Sequence, residues 1–132
     1  AGKSLRIEAE IQLKEQATPQ GVLLAQGGKE HGYAIHWLKG KLAFDVRVDG
    51  KVTRVQINAP TKGKVKVVAV LDQQVISLEV EGARAKMNSP GLIPVQPKDD
   101  LSIGFDDQTA AGNYNVPNSF NGKVLSYSVN KR

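Results

Sequence analysis

Apolar and polar residues alternate with a period of two along most of this chain, and that pattern restricts it to extended strands. In Leu5-Ile7-Ala9-Ile11-Leu13 the apolar positions are separated by Arg6, Glu8, Glu10 and Gln12, as in a half-buried strand. From Tyr33 to Leu38 one side carries Tyr33, Ile35 and Trp37, and the other Ala34, His36 and Leu38. Leu38-Lys39-Gly40-Lys41 is a turn, after which Leu42, Phe44, Val46 and Val48 alternate with Ala43, Asp45 and Arg47. Asp49-Gly50 is a two-residue hairpin signal, because a type I′ turn needs positive φ at both positions. Val55 and Ile57 follow against Arg54 and Gln56, then Val65–Leu71 and Val75–Val80 around Asp72-Gln73-Gln74. Leu101–Phe105 and Lys123–Val129 complete the set. No window shows apolar spacing of 3.6 with helix caps. Eight or more strands with turns every 8–12 residues or so predict an all-β fold, an antiparallel sandwich or barrel.

Length and composition agree. The 132 residues are the size of one domain, 1–132, large enough to bury a core without staples. Val, Ile and Thr total 26, in short runs between Gly, Pro, Asn and Asp. The longest apolar run is Val67–Leu71, far short of a membrane span, so no membrane association is expected. With no cysteine, a disulfide scaffold, a thiolate metal site and a cysteine nucleophile are all excluded. No secretory signal precedes Leu5 and no initiator Met is present, which favours a mature product or a piece of something longer. Two stretches interrupt the strands. Asn88–Asp100 holds Pro90, Pro94 and Pro97 and reads as a crossover, since proline cannot serve a central strand. Gln108–Asn121 is rich in Gly, Asn and Pro and reads as a long loop or lid.

Gly32-Tyr33-Ala34-Ile35, Gly40-Lys41-Leu42-Ala43-Phe44 and the hairpin from Val65 to Gly82 together resemble the laminin G-like, concanavalin A-like jelly rolls. The segment from Pro90-Gly91-Leu92-Ile93-Pro94-Val95-Gln96-Pro97-Lys98-Asp99 through Leu101-Ser102-Ile103-Gly104-Phe105-Asp106-Asp107 to Tyr114, Pro117, Phe120 and Gly122 is more specific. It resembles the C-terminal extension of arylsulfatase-type enzymes from polysaccharide-degrading marine bacteria. The sulfatase signature itself, Cys- or Ser-x-Pro-x-Arg, is absent; Ser89-Pro90-Gly91-Leu92 does not supply it. The resemblance therefore implies an appended, non-catalytic module of a larger exported protein, secreted or periplasmic.

Charge and parity suggest where such a module meets a partner. The net charge is +5, and between Lys39 and Lys66 eight Lys or Arg stand against Asp45 and Asp49. That suits an anionic or sulfated polysaccharide, although edge charges that keep a sheet soluble give the same pattern. Strand parity sends Trp37 inward and places His36, Asp45, Arg47, Arg54 and Gln56 on one polar face. If their strands are neighbours, they form a shallow hydrogen-bonding platform in which Arg grips sulfate bidentately. His36, Arg47, Arg54 and Tyr114 are the candidate glycan contacts. Asp106 and Asp107 with Asn113 are candidate calcium ligands, because the resembled jelly rolls often carry calcium and it takes six to eight oxygens. Turn chemistry explains the same Asp and Asn residues.

Other constellations are weaker. Glu8/Glu10 and Glu79/Glu81 are two apart on strands, roughly 6.6–7 Å, a spacing that fits a glycosidase pair and equally any exposed strand. The Glu-x-Asp-x-x-Glu strand motif of jelly-roll glucanases is missing. His31 and His36 point to opposite faces and cannot chelate one metal together. The basic pI raises nucleic acid, but the chain has no recognition helix and no exposed aromatics among its basic residues, so none is expected. The alternative to glycan binding is a structural module that packs on its parent catalytic domain or mediates oligomerisation.

Overall fold

The structure, a computed structural model, describes residues 4–14, 18–28, 30–38, 40–60, 62–93, 101–104 and 119–131. These residues form ten strands: β1 (Leu5–Leu13), β2 (Gly21–Gly27), β3 (Gly32–Leu38), β4 (Lys41–Val48), β5 (Lys51–Asn58), β6 (Gly63–Leu71), β7 (Val75–Val80), β8 (Ala83–Asn88), β9 (Ser102–Ile103) and β10 (Lys123–Lys131). No helix occurs among them. The strands make two five-stranded sheets, ordered β10-β1-β6-β7-β8 and β5-β4-β3-β2-β9, and every strand pair is antiparallel. The sheets stack face to face as a sandwich, with β5 packing against β7 and β8.

The alternation in β1 does what half-burial requires. Leu5, Ile7, Ala9, Ile11 and Leu13 are all buried, while Arg6, Glu8, Glu10 and Gln12 turn outward. From the second sheet, Tyr33, Ile35, Trp37, Leu42, Phe44, Val46 and Val55 meet them in one continuous core cluster. Trp37 points inward, as its parity predicts, and its indole N–H finds no acceptor there. Tyr33 solves the same problem by donating its hydroxyl to Gln26 Oε1 at 2.8 Å, and burial pushes its phenol pKa up.

The Asp49-Gly50 turn is as expected, with φ of 50° and 79°. Glu81 and Gly82 repeat it between β7 and β8, with φ of 47° and 87°. Two strands were not evident from the pattern. β2 carries Val22-Leu23-Leu24-Ala25 with no alternation, because both of its faces are buried and a bulge between Val22 and Leu24 shifts the register. β8 is an edge strand whose Arg84 and Lys86 are exposed, so it lacks a clear apolar side. The expected strand Leu101–Phe105 is described only as Ser102–Ile103, and the last strand runs two residues further than its apolar pattern.

The β2–β3 connection depends on glycine. Gly27 (φ +91°) and Gly32 are register partners, and a Cβ on Gly27 would run into His31 O and the Cα of Gly32. Gly27→Ala is expected to cost about 2–4 kcal/mol, from a disfavoured φ and a backbone clash together. A urea midpoint within error of the parent would show that Gly27 and the His31-Gly32 backbone do not approach this closely.

Candidate functional site

The polar face predicted from parity exists. β3, β4 and β5 are neighbours, and register sets His36 beside Ala43, Asp45 beside Arg54, and Ala43 beside Gln56. These side chains project from the side of the sheet opposite Phe44 and Ile35. The face differs from the expected platform in one respect: its middle is not open. His36 and Asp45 are wholly buried, and so are Val22, Ala25, Ala34 and Ala43 around them.

Burying a carboxylate is costly unless it is paired and hydrogen-bonded. Asp45 meets both conditions. Arg54 Nε donates to Asp45 Oδ1 at 2.7 Å and Arg54 Nη2 to Oδ2 at 2.8 Å, while His36 Nε2 lies 2.8 Å from Oδ2. Burial alone would raise the Asp45 carboxyl. The hydrogen bonds from Arg54 and then His36, with their charges, override that and hold its pKa at about 2. The pairing in turn raises the Arg54 guanidinium. This cluster fixes Arg54 flat against the sheet, with its side chain 24% exposed.

Beyond the buried middle the face opens along β4 and β5. Lys41, Gln56 and Asn58 are exposed, and Arg47 and Arg54 are half-buried. Register places Lys41 beside Asn58 at one end and Arg47 beside Val52 at the other. The strip is about 20 Å long, six residues at the rise of an antiparallel strand. Arg47 Nη1 donates to Gly50 O at 3.1 Å, which ties the strip to the β4–β5 turn. At the same turn Asp49 N donates to His31 Nδ1 at 3.3 Å and Gly50 N to Glu30 O at 2.9 Å. His31 is thus half-buried in a turn–turn contact rather than freely solvated. Among the described residues of β2 to β5, Asp45 is the one carboxylate, and it is already neutralised.

Of the candidate contacts, Arg47 and Arg54 reach this strip, whereas His36 is wholly buried and has no surface to offer a ligand. Tyr114 lies outside the described residues, as do the candidate calcium ligands Asp106, Asp107 and Asn113. Among the described residues no group of three or more His, Asp or Glu is placed to hold a metal ion. Lys41 and Asn58 were not singled out from the sequence, and Gln56 was placed on the polar face but not among the candidate contacts. The alternation that assigns Arg54 also contains them, since Gln56 and Asn58 continue its parity.

No protein-family profile matches the chain, and no curated sequence does. Solved structures do match. Domains LG4-5 of the mouse laminin alpha1 chain superpose with a TM-score of 0.77 at 18% identity, over 96% of this chain. The fold is a jelly roll of the laminin G-like type. This jelly roll spans 34% of that laminin chain. The CBM40 module of a Ruminococcus gnavus IT-sialidase, solved bound to alpha2,3 sialyllactose, matches with a TM-score of 0.70 at 14% identity, over 98% of this chain and 76% of its own. Sheep galectin-11, in complex with glycerol, gives 0.56 at 7% identity, over 98% of this chain and 90% of its own. At these identities the likeness is one of fold. These neighbours include carbohydrate-binding modules.

Proposed function

We propose that this chain is a non-catalytic carbohydrate-binding module that holds an anionic, sulfated or carboxylated polysaccharide along the β4–β5 strip. The observation that carries the reading is the strip itself: Lys41, Arg47 and Arg54 with the amides Gln56 and Asn58, on strands whose one carboxylate among the described residues, Asp45, is spent on Arg54. Alternate residues of a strand repeat at about 6.8 Å, so the donors form a row suited to an extended chain rather than to one compact ligand. Arg54 is held by two hydrogen bonds before any ligand arrives, which lowers the ordering cost of binding. Its free N–H donors and the amides supply direction, and the lysine supplies attraction that salt screens. The lectin-type fold supports the same reading. The resemblance of the C-terminal third to arylsulfatase extensions supports a parent enzyme of exported sulfatase type, in which the module would keep the catalytic domain on its polymer.

Electrophoresis in gels containing carrageenan, dextran sulfate or alginate tests this. Retardation is expected at low salt, falling as salt rises, with at least one of the polymers. The triple variant Lys41→Ala/Gln56→Ala/Asn58→Ala, all exposed positions, is expected to weaken retention about tenfold or more. Arg84→Ala/Lys86→Ala on β8 removes as much cationic charge and more, and is expected to leave most of the retention in place. Retardation lost equally in both variants would mean diffuse charge and not a strip. No retardation by a folded chain would favour the structural role instead. That second reading draws on Leu125 and Met87, 43% and 47% exposed on the two outermost strands of the first sheet. Under it, sedimentation or cross-linking would show self-association or capture by the parent catalytic domain.

A further inference from the structure

The outermost strands of the two sheets are β10 and β8 in one, and β5 and β9 in the other. An outermost strand offers unpaired N–H and C=O groups to any other chain, and proteins guard against this with charges or by keeping the strand short. β8 carries the exposed Arg84 and Lys86, β5 carries Lys51 and Arg54, and β9 is 2 residues long. β10 departs from the rule. It is 9 residues long and holds lysine only at its ends, Lys123 and Lys131. Residues 124–130 between them are uncharged and include neither proline nor glycine. Two exposed large hydrophobic side chains lie here, Leu125 at 43% and Tyr127 at 51%. Among the described residues, β10 pairs only with β1.

We infer that two copies of this chain pair antiparallel through β10, about a twofold axis at Ser128. Charge selects the edge. The chain carries +5, so β8 or β5 would bring its cations against those of a second copy, whereas residues 124–130 meet themselves without charge. Register selects the axis. Leu125 is the extra residue of a bulge, since Glu10 pairs with Ser126 and Ile11 with Val124, and a bulge disrupts the ladder. The regular uncharged stretch is therefore 126–130, centred on Ser128. An axis there opposes Tyr127 to Val129 of the second copy, twice, on the side of the sheet that Ala9 and Ile7 share. Aromatic and β-branched residues are favourable cross-strand partners. On the other side it opposes Ser126 to Asn130, twice, and Ser128 to its own copy, and no lysine meets a lysine. The two five-stranded sheets join edge to edge. So short an interface lies at the small end of the known range, and the dimer is weak, with an expected Kd of about 0.1 mM. Twofold pairing of this kind turns both copies' outward faces the same way. The β4–β5 strips then face one side and stay uncovered, because β10 lies at the end of its sheet away from β7 and β8, against which β5 packs.

Sedimentation of the full chain between about 10 µM and 1 mM is expected to show a mass rising from 14.2 kDa toward twice that value. The chain has no cysteine, so a single introduced one reports contact between copies. Ser128→Cys, directly opposite its own copy, is expected to form an intermolecular disulfide about tenfold faster than Lys86→Cys on β8, because only the first pair meets the distance a disulfide needs. Ser128→Lys sets two ammonium groups face to face at the axis; it is expected to raise the Kd about tenfold or more and to leave the urea midpoint close to the parent's. A constant mass over the range, equal cross-linking at the two positions, or full association of Ser128→Lys would overturn the inference. A further consequence rests on the reading of the strip as a polymer site: a dimer with two strips on one side is bivalent. The oxidised Ser128→Cys dimer is expected to be held in sulfated gels about tenfold more strongly than the reduced chain. Cross-linking without that gain would count against the strip and leave the β10 pairing in place.

Discussion

Asp45→Ala is expected to destabilise the protein by about 3 kcal/mol, because it leaves a buried imidazole and a half-buried guanidinium without their carboxylate. The side chain is wholly buried and receives two hydrogen bonds from Arg54 and one contact from His36. Removing it leaves the buried His36 ring without this partner and the half-buried Arg54 guanidinium without its counter-ion. Urea midpoints of the parent and the variant measure the loss. A difference under about 1 kcal/mol would mean that the cluster is solvated and not buried. Replacing all three members by apolar residues (His36→Leu/Asp45→Leu/Arg54→Met) is expected to recover much of the loss, since well-packed apolar groups often match a buried ion pair.

The same carboxylate makes a signed pH prediction. Its folded pKa of about 2 lies below the ordinary 3.8, so ionised Asp45 favours the folded state. The contribution is complete above the unfolded pKa and is lost as pH falls from about 4 through 2. The shift corresponds to about 2 kcal/mol. Asp45→Asn keeps the size of the side chain but cannot titrate. The stability gap between parent and Asp45→Asn is therefore expected to shrink by about that amount between pH 6 and pH 2. A gap independent of pH would show that the charge of Asp45 contributes nothing.

Phe44→Ala is the other large effect, about 3–5 kcal/mol, from lost transfer energy and an unfilled cavity. Phe44 sits mid-strand in β4, beside Ile35 on β3 and Val55 on β5, and has no exposed surface. Strands pinned by hydrogen bonds on both sides cannot collapse into the space a ring leaves. Against a total stability of about 5–15 kcal/mol for a domain of ordinary size, this change unfolds a substantial fraction of molecules on warming. Phe44→Leu is expected to restore more than half. An alanine variant within about 1 kcal/mol of the parent would place Phe44 outside the core.

Comparison of particular elements shows where the sequence is readable. Trp37 and His36 were assigned to opposite faces from alternation alone, and the register bears this out. Asp49-Gly50 marks its hairpin because few other residue pairs tolerate two positive φ values in succession. β2 escaped notice because a strand buried on both sides has no polar half to alternate with. β8 escaped because an outermost strand with Arg84 and Lys86 buries too little to leave a pattern. Gln56 was assigned to the strip's face by the same parity rule, and Asn58 was within its reach. Glu8 and Glu10 were visible only as a spacing; Ser128 and Ser126, which pair beside them, come from the far end of the chain.

Side-chain direction and turn position are local properties of a strand, set by the two-residue repeat and by allowed φ, and so they were determined by the amino-acid order alone. Which strands become neighbours, and which outward side chains are then covered, depends on segments far apart in sequence. Tertiary structure alone therefore decided that His36 and Asp45 are sealed beneath the sheet face while Arg54 remains at its surface. A buried carboxylate must find its cations, and only folding brings β3, β4 and β5 close enough for Asp45 to do so.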